Sequence, residues 1–142
     1  MKHKKLATFL AVAVLMTNPC KMASAASVSF SNFYYTSTPN CETWEKIVSK
    51  TKADDEQAWY ATLTGSNGLS STTDRAMFVS GRSSANSIEP DSAPVPLYTS
   101  TKSIKCGYIT YLKKGTKCWL YITGDENNKK AYRVSVSGRY TS

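Results

Sequence analysis

The residues that most often carry enzyme chemistry are scarce in this 142-residue sequence. Its only histidine is His3, which stands in the basic segment at the N-terminus. Ser-His-Asp and Cys-His catalytic groups need an imidazole, and so do histidine-ligated zinc sites and most acid–base catalysis near neutral pH. The sequence therefore predicts no catalytic residue, no metal site and no cofactor, and it indicates a protein that is not an enzyme.

Two acidic runs are the only candidates for paired catalytic carboxylates. Asp54, Asp55 and Glu56 form one run, and Asp125 and Glu126 form the other. A glycosidase needs two carboxyl groups that face each other about 5 to 9 Å apart in a cleft, whereas adjacent loop residues diverge. A calcium loop needs alternating oxygen ligands, which neither run provides. We therefore interpret both runs as solvated turns.

Three cysteines follow the N-terminal segment, namely Cys41, Cys106 and Cys118. An exported chain with this number should form one disulfide and leave one free thiol. A hairpin turn over residues 112–115 would leave Cys106 about three or four positions out of register with Cys118, too far for a disulfide. We therefore expect Cys41 to pair with Cys106 or with Cys118, and both pairings stay open. The alternative is that all three thiols are reduced and buried.

Aromatic and basic residues near the C-terminus form the candidate binding surface. Tyr108, Trp119 and Tyr121 could make a flat exposed platform on a sheet, suited to stacking on sugar rings or on another protein. Lys113 and Lys114 fall between them and favour anionic surfaces such as wall polymers or lipid headgroups. The alternative is that the aromatic residues line the core and the lysines only keep the surface solvated.

The N-terminus has the parts of a cleaved secretion signal. Lysines precede the uncharged stretch 6–16, and Ala23 and Ala25 are the small residues that a signal peptidase reads. We expect residues 1–25 to be removed and residues 26–142 to form one secreted, extracellular or cell-wall-associated domain without a transmembrane segment. Cleavage would lower the net charge from +8 to +4, because it removes four of the 18 basic residues and none of the 10 acidic ones.

Short runs of β-branched and aromatic residues, separated by Gly, Asn, Asp, Ser and Pro, are typical of an all-β fold. We expect a single-domain antiparallel β-sandwich of about seven strands. The predicted strands span residues 28–36, 58–64, 76–80, 95–99, 104–111, 117–123 and 131–138. Alternation within two of these strands assigns the following residues to the core: Trp59, Ala61, Leu63, Tyr132, Val134 and Val136.

Two segments depart from the strand pattern. Residues 42–52 carry Trp44, Ile47 and Val48 at helical spacing, so this segment is either one short helix or an extended connection. Residues 81–96 hold three of the five prolines, which predicts a long surface loop.

Three stretches of the chain have a recognisable layout. Residues 30–35 are an aromatic-rich first strand, residues 58–63 surround a tryptophan, and residues 132–140 carry a glycine-marked ending. In this layout the chain resembles a group of uncharacterised small secreted all-β proteins of Gram-positive bacteria. The resemblance implies a secreted location and an all-β fold, and it implies no activity and no site.

Together these features predict a secreted, non-enzymatic domain that binds a cell-surface polymer, a glycan or another protein. Its binding residues are expected among Tyr108, Trp119, Tyr121, Lys113 and Lys114, and nucleic acid is a poor partner for an exported domain. An alternative function is a bacteriocin-like antibacterial protein acting at the envelope of a target cell, for which small size, export and positive charge are suitable.

Overall fold

A computed structural model of the chain describes residues 26–37, 43–69, 75–83, 88–97, 103–124 and 132–142. These residues form strands and no helix, and therefore contain no helix long and apolar enough to cross a membrane. The strands are β1 (Val28–Ser37), β2 (Glu45–Thr51), β3 (Ala58–Asn67), β4 (Ala76–Ser83), β5 (Ile88–Pro90), β6 (Val95–Leu97), β7 (Ser103–Gly107), β8 (Lys117–Gly124) and β9 (Tyr132–Thr141).

The strands form two antiparallel sheets that pack face to face. One sheet has the order β1-β9-β3-β7, and the other has the order β2-β8-β4-β5, with β6 also paired to β4. Side chains from both sheets contribute to one hydrophobic cluster between them, so the fold is a β-sandwich. The predicted fold class is therefore confirmed, although the described residues contain nine strands rather than about seven.

The core is built from alternate residues of the central strands. Trp59, Ala61 and Leu63 of β3 are buried, as are Val134 and Val136 of β9. The predicted inward faces are confirmed for these five residues, whereas the side chain of Tyr132 lies outside the described residues. The opposite sheet contributes Phe78, Cys118, Leu120 and Ile122.

The possible helix over residues 42–52 is wrong for the part that the structure describes, because Glu45–Thr51 is strand β2. The register with β8 shifts between Lys46 and Val48, which is a β-bulge. Ile47 and Val48 both pack against the core as a result, although they are neighbours in sequence. The bulge therefore gives an extended strand the spacing of apolar residues that is typical of a helix.

The predicted hairpin around residues 112–115 is also wrong. A turn is present, since the Thr116 amide donates to the Lys113 carbonyl over 3.1 Å and Gly115 has a φ of +86°. The strands on either side lie in different sheets, however, because β7 pairs with β3 while β8 pairs with β2 and β4. The chain crosses from one sheet to the other here, with Leu112 buried between them.

The proline-rich stretch 81–96 is more structured than a surface loop. Strand β4 continues to Ser83, and β5 and β6 both pair back onto it. Asp91 and Ser92 are buried, and Ser92 forms an isolated bridge with Tyr108 at the end of the other sheet. This segment therefore ties the two sheets together beside the crossing.

Candidate functional site

Residues 108–116, which join β7 to β8, carry the most exposed large hydrophobic side chains described in the structure. Ile109 is 76% exposed and Tyr111 is 70% exposed. Lys113 and Lys114 follow them and are exposed as well. We call residues 108–116 the crossing loop, and residues 109–114 its tip. The tip thus presents one aliphatic, one aromatic and two basic side chains to solvent.

The crossing loop is held in place by Gln57, which comes just before β3. The Gln57 Nε2 group donates to the Leu112 carbonyl over 2.9 Å, and the Leu112 amide donates to Gln57 Oε1 over 2.8 Å. The side-chain amide of Gln57 therefore pairs with the Leu112 backbone much as a neighbouring strand would. The Leu112 side chain is buried in the core, so this residue is fixed from both sides.

Further backbone hydrogen bonds hold both ends of the loop. The Ile109 amide donates to the Asp91 carbonyl over 2.6 Å, and the Gly115 amide donates to the Lys52 carbonyl over 3.0 Å. The Lys114 amide donates to Asp55 Oδ1 over 2.6 Å. These hydrogen bonds restrain the loop backbone in the conformation that exposes Ile109 and Tyr111 to solvent.

The acidic run 54–56 stabilises the turn beside the crossing loop, as expected of a solvated turn. Asp54 accepts a hydrogen bond from the Glu56 amide over 2.9 Å, in addition to the Asp55 contact with Lys114. Lys105 donates to Glu56 over 2.7 Å and Tyr60 donates to the same oxygen, so the pKa of Glu56 is held below its ordinary value. Each carboxylate thus contacts its own turn or a neighbouring strand.

A cluster of polar side chains, buried except for the half-buried Tyr108, lies beneath the crossing loop, and we call it the buried cluster. Tyr108 points inward, where its hydroxyl lies 3.1 Å from the Ser80 hydroxyl, and Ser80 lies 2.6 Å from the Tyr140 hydroxyl. The Lys52 ammonium group lies 5.0 Å from the centre of the Tyr108 ring and donates to the Glu56 carbonyl. Lys52 is only 2% exposed, so these two contacts compensate for the burial of its charge.

Burial moves the pKa values of the tyrosines in this cluster, and of the cysteine beside it, away from neutral pH. Burial raises the pKa of both Tyr108 and Tyr140 well above the ordinary value of a phenol. Burial likewise raises the pKa of the Cys118 thiol, although Tyr108 and Lys52 oppose that shift. Catalysis requires pKa values close to the working pH, so these groups act here as protonated hydrogen-bonding and packing groups.

Asp91 and Arg82 join the buried cluster to the edge of the second sheet. The Arg82 guanidinium donates to both carboxylate oxygens of Asp91, over 2.9 and 3.1 Å, and the Arg82 amide donates to Asp91 Oδ2 over 2.8 Å. Asp91 is 2% exposed, and its buried carboxylate accepts all three of these hydrogen bonds from Arg82. The pair therefore fixes Asp91, whose backbone carbonyl accepts the hydrogen bond from the Ile109 amide.

The cysteines give no disulfide among the described residues. Cys106 and Cys118 both carry free thiols, and Cys41 lies outside the described residues. The expected pairing of Cys41 with one of them stays a prediction. The predicted hairpin register between Cys106 and Cys118 is wrong, because β7 and β8 belong to different sheets.

The structure does not form the flat platform predicted from Tyr108, Trp119 and Tyr121. Tyr108 belongs to the buried cluster, and Tyr121 is fully buried with its hydroxyl donating to the Arg82 carbonyl over 2.8 Å. Trp119 is half-buried, and the ammonium groups of two lysines lie 5.4 and 5.1 Å from its ring centre: Lys46 and Lys117. A sugar would have to displace these lysines before stacking on the ring.

Comparisons with known proteins do not identify this chain. No protein-family model, no curated protein and no solved structure matches it. Within the described ranges no group of three or more metal-ligating side chains is placed to hold a metal ion. The function of the candidate site is therefore inferred from the chemistry of its own residues.

The sequence pattern identifies part of this site and misses the rest. Lys113 and Lys114 lie at the tip, as expected from their place in a turn. Ile109 and Tyr111 are missed because alternation assigns them to a strand, and Gln57 is missed because a lone glutamine gives no signal. One sequence feature could have indicated that Tyr111 is exposed. Tyr111 immediately precedes a leucine, two lysines and a glycine, an order that is typical of a chain leaving a strand.

Proposed function

We propose that this chain is an exported, non-enzymatic binding domain that attaches to a bacterial cell surface through the tip of the crossing loop. In this proposal residues 1–25 are removed on export, and the domain acts in the extracellular space or at the cell wall. Its ligand is a surface component, whether a polymer, a glycan, a lipid or a protein.

The exposure of Ile109 and Tyr111 on a fixed backbone is the observation that carries the proposal. Exposing a large apolar side chain to water is unfavourable, although single exposed ones are common on protein surfaces. Here two stand within three residues, on a loop whose amides and carbonyls are bonded to two other segments, at residues 52–57 and at Asp91. A fixed, projecting pair of this kind is typical of a binding surface.

The adjacent lysines support an anionic ligand. Lys113 and Lys114 are both exposed, and neither has its ammonium group in a described ion pair. Bacterial surfaces carry anionic polymers and lipids, which attract basic groups over about 10 Å at moderate ionic strength.

Sedimentation with isolated envelopes of a Gram-positive bacterium tests the proposal. The double variant Ile109→Ser/Tyr111→Ser is expected to bind at least about tenfold more weakly than the unchanged protein, because it removes the apolar contact area. Tyr34→Ser is the matched control, since Tyr34 is 53% exposed on β1 and is absent from the tip. Equal envelope binding by the double variant and the unchanged protein would contradict the proposal.

A second candidate is a bacteriocin-like antibacterial protein that acts at the envelope of a target cell. The combination of apolar and basic side chains at the tip favours it, because the same combination suits attack on an anionic envelope. Growth inhibition of a target bacterium by the purified protein distinguishes this function from simple attachment.

A further inference from the structure

We infer that the surface component bound by the tip is an anionic lipid bilayer; this inference rests on the proposed function and narrows its ligand. The tip offers two kinds of contact within six residues. Ile109 and Tyr111 supply apolar and amphipathic surface, and Lys113 and Lys114 supply positive charge. A bilayer interface accepts both kinds, since tyrosine and aliphatic side chains enter the headgroup region while lysines reach the anionic headgroups.

The other ligand classes match only part of this surface. A polyanionic wall polymer would engage the lysines, but it would leave Ile109 in water with no apolar partner. A glycan could stack on the exposed Tyr111 ring, but it would leave the side chain of Ile109 without an apolar partner. A protein partner of ordinary affinity would need roughly 800 Å² on this side, far more than two projecting side chains provide.

The rigidity of the crossing loop suits insertion into an interface. The Leu112 backbone is held by Gln57, and the amides of Ile109, Lys114 and Gly115 are bonded to neighbouring segments. The backbone of the tip therefore has little conformational freedom left to lose when it meets a surface. The buried Leu112 and the half-buried Tyr108 stay packed against the sandwich core, while Ile109 and Tyr111 are exposed to solvent.

One negative charge opposes this interaction and gives the inference a sharp test. Asp55 is exposed, and its Oδ1 lies 2.6 Å from the Lys114 amide, so a carboxylate stands at the edge of the tip. The nearby Glu56 is already paired with Lys105. Asp55→Asn keeps an oxygen that can accept from Lys114 and removes the charge. This variant should therefore bind anionic bilayers more tightly and neutral bilayers no differently.

The test is co-sedimentation with phosphatidylglycerol–phosphatidylcholine vesicles and with pure phosphatidylcholine vesicles. We expect binding to the anionic vesicles that weakens with added salt, falls at least about tenfold in Ile109→Ser/Tyr111→Ser, and rises in Asp55→Asn. Lys113→Gln/Lys114→Gln should lose most of the binding. Arg133→Gln/Arg139→Gln, which removes two exposed charges from β9, should lose much less although its net charge is the same.

Three outcomes would overturn the inference. The first is no binding to anionic vesicles by a protein that does sediment with envelopes; in that case, if the tip variant also loses envelope binding, the proposed function stands and only the lipid partner fails. The second is an equal loss in both double charge variants, which would make the attraction a matter of net charge alone. The third is binding of soluble teichoic acid by the Ile109→Ser/Tyr111→Ser variant as tightly as by the unchanged protein, which would make the polymer the partner.

Discussion

At the residue scale, Gly138 lies where the backbones and side chains of three neighbouring strands come closest. It sits in β9 opposite Phe30 of β1 and Leu63 of β3. A Cβ atom at this position would lie 2.4 Å from the Thr62 carbonyl oxygen and 2.7 Å from Cζ of Phe30. The first of these is backbone in a paired strand and cannot move away cheaply.

Gly138→Ala should therefore lower the free energy of unfolding by about 1 to 3 kcal/mol, the usual cost of overpacking. Urea denaturation measures this change. Gly65→Ala is the matched control, because a Cβ atom there has no heavy atom within 4 Å, and it should change stability by much less. Equal stability of the two variants would show that the sheet around Gly138 yields more easily than its packing indicates.

Residue-scale features differ in how well the sequence predicts them. Alternation assigns Trp59 and Ala61 to the core correctly because β3 buries one face. Tyr121 cannot be assigned this way, since it is fully buried on the same side of β8 as the half-exposed Trp119. The burial of Lys52 is equally hidden, because it depends on Tyr108 and on a loop distant in sequence.

At the scale of elements, the crossing loop depends on a segment that is remote from it in sequence. Gln57 satisfies both backbone groups of Leu112, and the loop reaches Lys52 and Asp55 in the same segment. The two segments therefore act as one structural unit, in which the tip is the solvent-facing part.

Gln57→Ala should leave the Leu112 amide and carbonyl without protein partners and lower the free energy of unfolding by about 1 to 3 kcal/mol. Amide hydrogen exchange at Leu112 should accelerate in the variant. The Gly115 amide, which donates to Lys52, is the internal control, and its exchange should accelerate less than that of Leu112. Unchanged exchange at Leu112 would mean that the buried leucine side chain alone holds the loop.

Elements also show where sequence patterns mislead. The turn near Gly115 can be predicted because glycine tolerates its φ of +86°. The sheet to which the next strand belongs cannot be predicted, because a hairpin and a crossing between sheets use the same local residues. In β2, a bulge turns two neighbouring β-branched residues toward the core and mimics helical spacing. Both errors arise because pairing partners are chosen by contacts between distant segments.

At the scale of the whole molecule, the sandwich supports a projecting tip at one end. The Ser92–Tyr108 bridge joins the sheets at the base of the crossing loop, and the Arg82–Asp91 pair fixes the segment that carries Ser92. The buried cluster of Lys52, Ser80, Tyr108 and Tyr140 fills the space beneath it. The fold class can be predicted from the strand pattern in the sequence, whereas the position of the tip depends on these contacts between distant segments.

Hydroxyl-radical footprinting of the protein, alone and bound to isolated Gram-positive envelopes, tests most directly whether the tip is the binding surface. Oxidation of Ile109 and Tyr111 should fall several-fold on binding, because their side chains leave water. Oxidation of Tyr34 on β1 and Trp119 on β8 should not change, since neither residue belongs to the tip. Protection of Trp119 or Tyr34, with Ile109 and Tyr111 still oxidised as in the free protein, would contradict a binding surface at the crossing loop.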